Sequence, residues 1–122
     1  MKIRIKNKEL RYRLTRSDVK QLAETDYLED KVDFGEASLT YAIRLTGEKQ
    51  LSSVYKDDVI TLFMPESMAT ELQNTGKVGF ENYVNGLHLL VEKDFRCLDN
   101  VSEDQSDNYP NPLAAGFYEE GD

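Results

Sequence analysis

Lys2-Ile-Arg-Ile-Lys6-Asn7-Lys8-Glu9-Leu-Arg-Tyr-Arg-Leu14-Thr15 opens the chain, and Leu51-Ser-Ser-Val-Tyr-Lys56-Asp57-Asp58-Val59-Ile-Thr-Leu-Phe-Met64-Pro65 repeats its plan about fifty residues later. The first stretch alternates strictly. Ile3, Ile5, Leu10, Tyr12 and Leu14 fall on one side, and Lys2, Arg4, Lys6, Arg11 and Arg13 on the other. A period of two with one apolar face predicts a pair of half-buried strands, with Asn7-Lys8 as a tight turn. In the second stretch Asp57-Asp58 takes the turn position. Val59, Ile60, Leu62, Phe63 and Met64 make the following strand apolar on both faces, which predicts an interior place in a sheet.

Outward from these stretches the same order of elements recurs. Thr15 has the character of a helix N-cap, with Asp18 at the capping-box position and Val19, Leu22 and Ala23 as the buried stripe of a short helix ending by Asp26. A strand near Lys31–Phe34, a turn at Gly35-Glu36, and a strand with Leu39, Tyr41, Ile43 and Leu45 inward follow. Gly47-Glu-Lys49 then turns the chain into the second copy. There Pro65 suits the first helical position, and Met68, Ala69 and Leu72 supply the stripe. Asn85-Gly86 joins strands Val78–Val84 and Leu87–Glu92, a dipeptide strongly favoured in two-residue hairpins. An offset of 49 to 50 residues pairs Lys6 with Lys56, Asn7 with Asp57, Leu10 with Val59 or Ile60, Val19 with Met68, and Leu22 with Leu72. The expected fold is α+β: residues 1–98 as one domain of pseudo-repeats 1–47 and 48–98, each ββαββ. They would form a small barrel or two facing sheets with two short helices. Residues 99–122 form an acidic tail, in which Pro110-Asn-Pro112 forbids regular structure and Tyr109, Leu113, Phe117 and Tyr118 offer anchors.

The 122 residues carry a formal net charge of -8, and its distribution is uneven. Residues 99–122 hold seven acids and no Lys or Arg, which leaves 15 basic and 16 acidic residues in 1–98. The first twenty residues hold eight basic side chains against Glu9 and Asp18. A near-neutral body with a basic start and an acidic end keeps anionic partners open for the first hairpin. No apolar run approaches the ~20 residues of a membrane helix. The charged, alternating N-terminus has no signal-peptide core. With the single Cys97, the expectation is a protein of the reducing cytoplasm without internal disulfides.

Three candidate chemistries stand in the sequence. Lys2, Arg4, Lys6, Arg11 and Arg13 would share one sheet face, where adjacent cations repel unless something anionic lies over them. That partner is open between solvent, the protein's own acidic tail or another acidic protein, and a nucleic-acid backbone. Lys93-Asp94-Phe95-Arg96-Cys97 follows the last strand, and a thiol near two cations has a route to a lowered pKa. The lone His88, on the face opposite Leu87, Leu89 and Val91, reads as structural or surface, and Cys97 as a small semi-buried apolar residue. One Cys and one His do not make a zinc site, and Glu103-Asp-Gln-Ser-Asp107 lacks the calcium-loop ladder, so no metal or other cofactor is expected.

Lys2–Lys6, Arg11–Thr15, Leu39–Ala42, Val91–Leu98 and Pro110–Pro112 together resemble a family of small uncharacterised bacterial proteins over nearly the whole chain. That resemblance implies bacterial relatives and no activity. Val59-Ile-Thr-Leu-Phe-Met-Pro65-Glu-Ser-Met, Leu72, Val78-Gly-Phe and Gly86-Leu-His-Leu-Leu resemble the swapped-hairpin DNA-binding fold of the AbrB and MazE type. The chain departs from that pattern at Glu66, where the family carries a base, at Gly76-Lys77 in place of a Gly-Asp turn, and in the missing basic face of the second copy. The functional expectation is a non-enzymatic binding or accessory protein using Lys2, Arg4, Lys6, Arg11, Arg13, Lys93, Asp94, Arg96 and Cys97. A tail-masked nucleic-acid-binding regulator is the alternative, and an enzyme comes third.

Overall fold

Alternation in the first stretch becomes an antiparallel hairpin in the computed structural model, which describes residues 1–96 and 105–110. Strands β1 (Lys2–Lys6) and β2 (Glu9–Leu14) pair with Ile3 opposite Tyr12 and Ile5 opposite Leu10, so the five cations share the other face. Helix α1 (Arg16–Thr25) starts at a complete capping box, in which the Asp18 N–H donates to Thr15 and the Thr15 N–H donates to Asp18. It ends at Asp26, whose left-handed backbone (φ 63°) aims its N–H at the Leu22 carbonyl. Strands β3 (Tyr27–Asp33) and β4 (Ser38–Thr46) follow, with Leu28 opposite Ile43 and Val32 opposite Leu39. The second half supplies β5 (Ser52–Lys56), β6 (Val59–Pro65), α2 (Glu66–Asn74), β7 (Gly79–Val84) and β8 (Leu87–Lys93).

The halves do not fold side by side. One four-stranded sheet has the order β1-β2-β8-β7 and the other β3-β4-β6-β5. Each takes one hairpin from each half, joined by the parallel pairs β2–β8 and β4–β6. Exchanging β1 with β5, β2 with β6, β3 with β7 and β4 with β8 turns one strand order into the other. The molecule therefore has an internal pseudo-two-fold, and its two sheets face each other instead of closing into a barrel. Leu10, Tyr12, Leu14, Leu89 and Val91 of the first sheet meet Leu28, Ile43, Ile60, Leu62 and Met64 of the second, with Val19, Leu22, Ala69 and Leu72 from the helices, in one core. β6 is interior, as its two apolar faces require.

Three local expectations shift. Pro65 is the N-cap of α2 and still pairs with Thr46, because an N-cap stays extended and Pro at φ -55° and ψ 135° suits that role. β3 begins four residues before Lys31, since pairing with β4 carries the Glu29-Asp30-Lys31 charge run that hides it in sequence. Val19 corresponds to buried Ala69 and not to Met68, which places the helices at an offset of fifty. Strand direction puts the turns at 7–8, 34–37, 57–58 and 85–86 at one end. The two helices pack against each other at the opposite end.

Candidate binding surface

The structure places each predicted cation. Lys2 lies opposite Arg13 and Arg4 opposite Arg11 on the outer face of the first sheet. Parallel pairing brings Glu92 beside Arg13, and its Oε1 accepts from Arg11 Nη1 and Arg13 Nε, both at 3.3 Å. The repulsion of that face is thus answered in part by an acid of the neighbouring strand, while Arg4 and Lys6 lie exposed on the edge strand. Further along, His88 stacks on Tyr83 with centroids 4.1 Å apart and sits between Glu81 (Nε2–Oε1 2.6 Å) and Glu9 (Nδ1–Oε1 3.6 Å). Histidine is here a hub of surface pairs, as its place opposite the leucines implied.

At the helix end the two predicted segments converge. Lys2 Nζ stands 3.1 Å from buried Asp94 Oδ2, and the Asp94 N–H donates to the Leu14 carbonyl. Lys93 takes the position that the pseudo-symmetry gives to Leu45. Its buried Nζ donates to the Thr75 carbonyl at 2.8 Å and lies 4.9 Å from the Tyr109 ring centroid. Arg13, Val78, Glu92, Lys93, Asp94 and Phe95 border a polar hollow of ≈ 250 Å³. Tail residues 105–110 run beside it: Tyr109 forms a parallel bridge with Phe95, and Arg96 Nη2 donates to the Ser106 carbonyl. Asp107 takes the Ser17 N–H and hydroxyl on Oδ1, and its carbonyl accepts the Arg16 N–H. Thr15 foremost, then Ser17 and Arg16, hold its carboxyl below the usual aspartate range. Cys97 lies outside the described residues, as do 98–104 and 111–122 of the tail.

The opposite end carries a feature that the sequence reading missed. Between the four hairpin turns the sheets part around an apolar cavity of ≈ 380 Å³, lined by Ile5, Leu10, Leu39, Ser53, Tyr55, Ile60 and Leu87. Strand correspondence makes Ile5 and Tyr55, Leu10 and Ile60, and Leu39 and Leu87 pseudo-two-fold mates, so the cavity straddles the internal axis. Ile5, Val32, Phe34, Val54, Tyr55 and Tyr83 are the exposed large apolar side chains among the described residues. Of these, Ile5 and Tyr55 line the cavity, whereas Tyr83 and Val54 lie on the outer faces of their sheets. Phe34, just past the end of β3, and Tyr55 of β5 are 68% and 67% exposed. An apolar hollow with a charged rim is the physical signature of a surface that receives something. Ile5, Leu10 and Leu39 were legible as inward strand positions, whereas Ser53 and Tyr55 carried no assigned face. What the sequence does not show is that both helices cap the same end and leave this one open.

Among the described residues no group of three or more His, Cys, Asp or Glu is placed to hold a metal, and no helix is long and apolar enough to cross a membrane. Fold and surface together define a small α+β domain of two interlocked ββαββ halves with an apolar mouth on its internal axis. The chain belongs to DUF7009, a family of unknown function, whose profile matches residues 1–113. Neither the curated proteins nor the solved structures contain a match to it.

Proposed function

We propose that this chain is a non-enzymatic binding protein of the bacterial cytoplasm, and that it binds by taking an apolar group into the mouth between its hairpin turns. One observation carries the reading: the exposed Ile5 and Tyr55 stand at the opening of a cavity whose walls are apolar from both sheets. The lining offers little for chemistry. Ser53 Oγ donates to the Thr61 carbonyl, and the remaining walls are aliphatic save for Tyr55. The basic β1–β2 hairpin supplies one wall, so the predicted basic surface and the mouth share an element.

Octanol titrated into ¹⁵N-labelled protein tests it. Amide shifts should saturate and map to Ile5, Leu10, Leu39, Tyr55, Ile60 and Leu87. Absence of saturable shifts there in dilute, monomeric protein overturns the reading. A parallel titration with random duplex DNA at low salt serves the rival. Salt-sensitive shifts confined to Lys2, Arg4, Lys6, Arg11 and Arg13 would move the function to phosphate binding.

A further inference from the structure

Resting on the mouth as a binding site, we infer that its occupant is a second copy of this chain, docked mouth to mouth about a two-fold axis perpendicular to the strands. The argument begins with the rim. The β1–β2 turn presents Lys6, Asn7 and Lys8, and its pseudo-two-fold counterpart presents Lys56, Asp57 and Asp58, all exposed. The two mates are alike in shape and opposite in charge at the tip: Lys8 corresponds to Asp58 and Asn7 to Asp57. They lie diagonally across the cavity. The Met1 ammonium on Asp30 puts β1 beside β3, and Asn82 Nδ2 on the Leu51 carbonyl puts β7 beside the start of β5. Among the described residues Lys8, Asp57 and Asp58 form no salt bridge. The corner at 7–8 is positive and the diagonal corner at 57–58 negative, and the turn at 34–37 adds the exposed acids Asp33 and Glu36 at a third. The diagonal pair carries its own complement. A second copy turned about the perpendicular axis that runs through the 34–37 and 85–86 corners sets Lys8 against Asp58 twice, the self-matching demanded of an isologous interface, and leaves Glu36 facing its own copy as the one like-charge contact.

Backbone geometry adds a separate observation. Asp57 and Asp58 hold left-handed φ of 52° and 63°, the paired positive φ of a tight hairpin, which Asn85-Gly86 also adopts at 53° and 79°. Glycine is the favoured residue at the second position of such a turn. Asp58 keeps a charge where the turn itself asks for Gly, and local misfits of this kind gather at working surfaces. Docked mouth to mouth, Ile5 and Tyr55 of each copy leave water, and the two half-open cavities become one enclosed compartment.

Sedimentation velocity on the full chain over a concentration series tests the inference. The expected result is a dimer that weakens as salt rises. Lys8→Asp alone, which sets acid against acid, should weaken association at least tenfold or so. Asp58→Lys alone should do the same, and the combined K8D/D58K variant should recover most of the loss, a restoration that misfolding does not mimic. Tyr55→Asp, with native circular dichroism, should leave a monomer. A wild-type chain still monomeric at roughly 100 μM, or a double swap no better than either single, overturns self-docking. Octanol shifts in the mouth of a strictly monomeric protein would overturn the dimer and leave the binding reading standing. Loss of both would remove the two together.

Discussion

Tyr12→Phe should make this protein more stable. Tyr12 is fully buried in the middle of the first sheet, and its hydroxyl has no hydrogen-bond partner among the described residues. Burial alone pushes its phenol well above the ordinary tyrosine pKa. The pseudo-two-fold mate of Tyr12 is Leu62, equally buried and wholly apolar, so nothing in the architecture asks for a polar atom there. A buried, unsatisfied hydroxyl costs about 1–3 kcal/mol, and Phe keeps the ring and its packing while removing that cost. Allowing for imperfect refilling of the space left by the oxygen, the expected gain is about 1 kcal/mol, or roughly 3–5 °C in Tm for a chain of this size. The chain has no Trp, so urea unfolding is best followed by far-ultraviolet circular dichroism, with an unchanged m value showing that only stability moved. A loss of more than about 0.5 kcal/mol would refute the reasoning, because it would mean that the hydroxyl holds a partner such as an ordered water.

Gly79→Ala should cost about 2–3 kcal/mol in the same assay, since a Cβ there would lie 2.5 Å from the Val91 carbonyl oxygen and 2.7 Å from Glu92 Cβ, neither of which is a movable side-chain end. A near-neutral result would mean that β7 pulls away from β8 at no cost. Asp107 gives the acid-side prediction. Its folded pKa is depressed, so its contribution to tail docking is fully present above the unfolded value near 3.9 and fades as pH falls through the folded value. Hydrogen exchange at the Arg16 and Ser17 amides, taken relative to the intrinsic rate at each pH, should quicken below about pH 4 in the wild type. In Asp107→Asn it should be faster at neutral pH and lose most of that pH dependence, and an unaltered profile in the variant would contradict the contact.

Much of the fold was legible because local signals agree with the global answer. Thr15 and Asp18 announce a helix start, Asn85-Gly86 a hairpin, and the alternation from Ile3 to Leu14 an apolar face, and each is realised. The partner of a strand is another matter. Nothing in Leu10 or Tyr12 specifies Leu89 and Val91 as parallel neighbours, since alternation fixes a face and leaves the edge open. Glu29-Asp30-Lys31 hid half of β3, because an edge strand tolerates charges that a sequence pattern reads as loop. The mouth escaped for a related reason. Ile5, Leu39 and Leu87 look the same in sequence as Leu14 or Val91, and only the placement of the helices decides which inward residues are covered.

The parallel pair β2–β8 joins residues 79 positions apart, whereas β4–β6 joins residues 19 apart. On a ribosome moving at ~5–20 residues per second, the first hairpin therefore waits roughly 4–16 s for its neighbour to be synthesised. Throughout that wait Ile3, Leu10 and Tyr12 line an unpaired, half-apolar ribbon, the kind of surface that seeds aggregation between nascent chains. Glu92, which later neutralises Arg11 and Arg13, has not yet been made. During that interval Lys2, Arg4, Lys6, Arg11 and Arg13 have only Glu9 of their own hairpin, 3.6 Å from Arg11, as an acidic neighbour on the face. Like charge on that face opposes the pairing of two such hairpins during the interval, and Glu92 answers part of it when the last strand arrives.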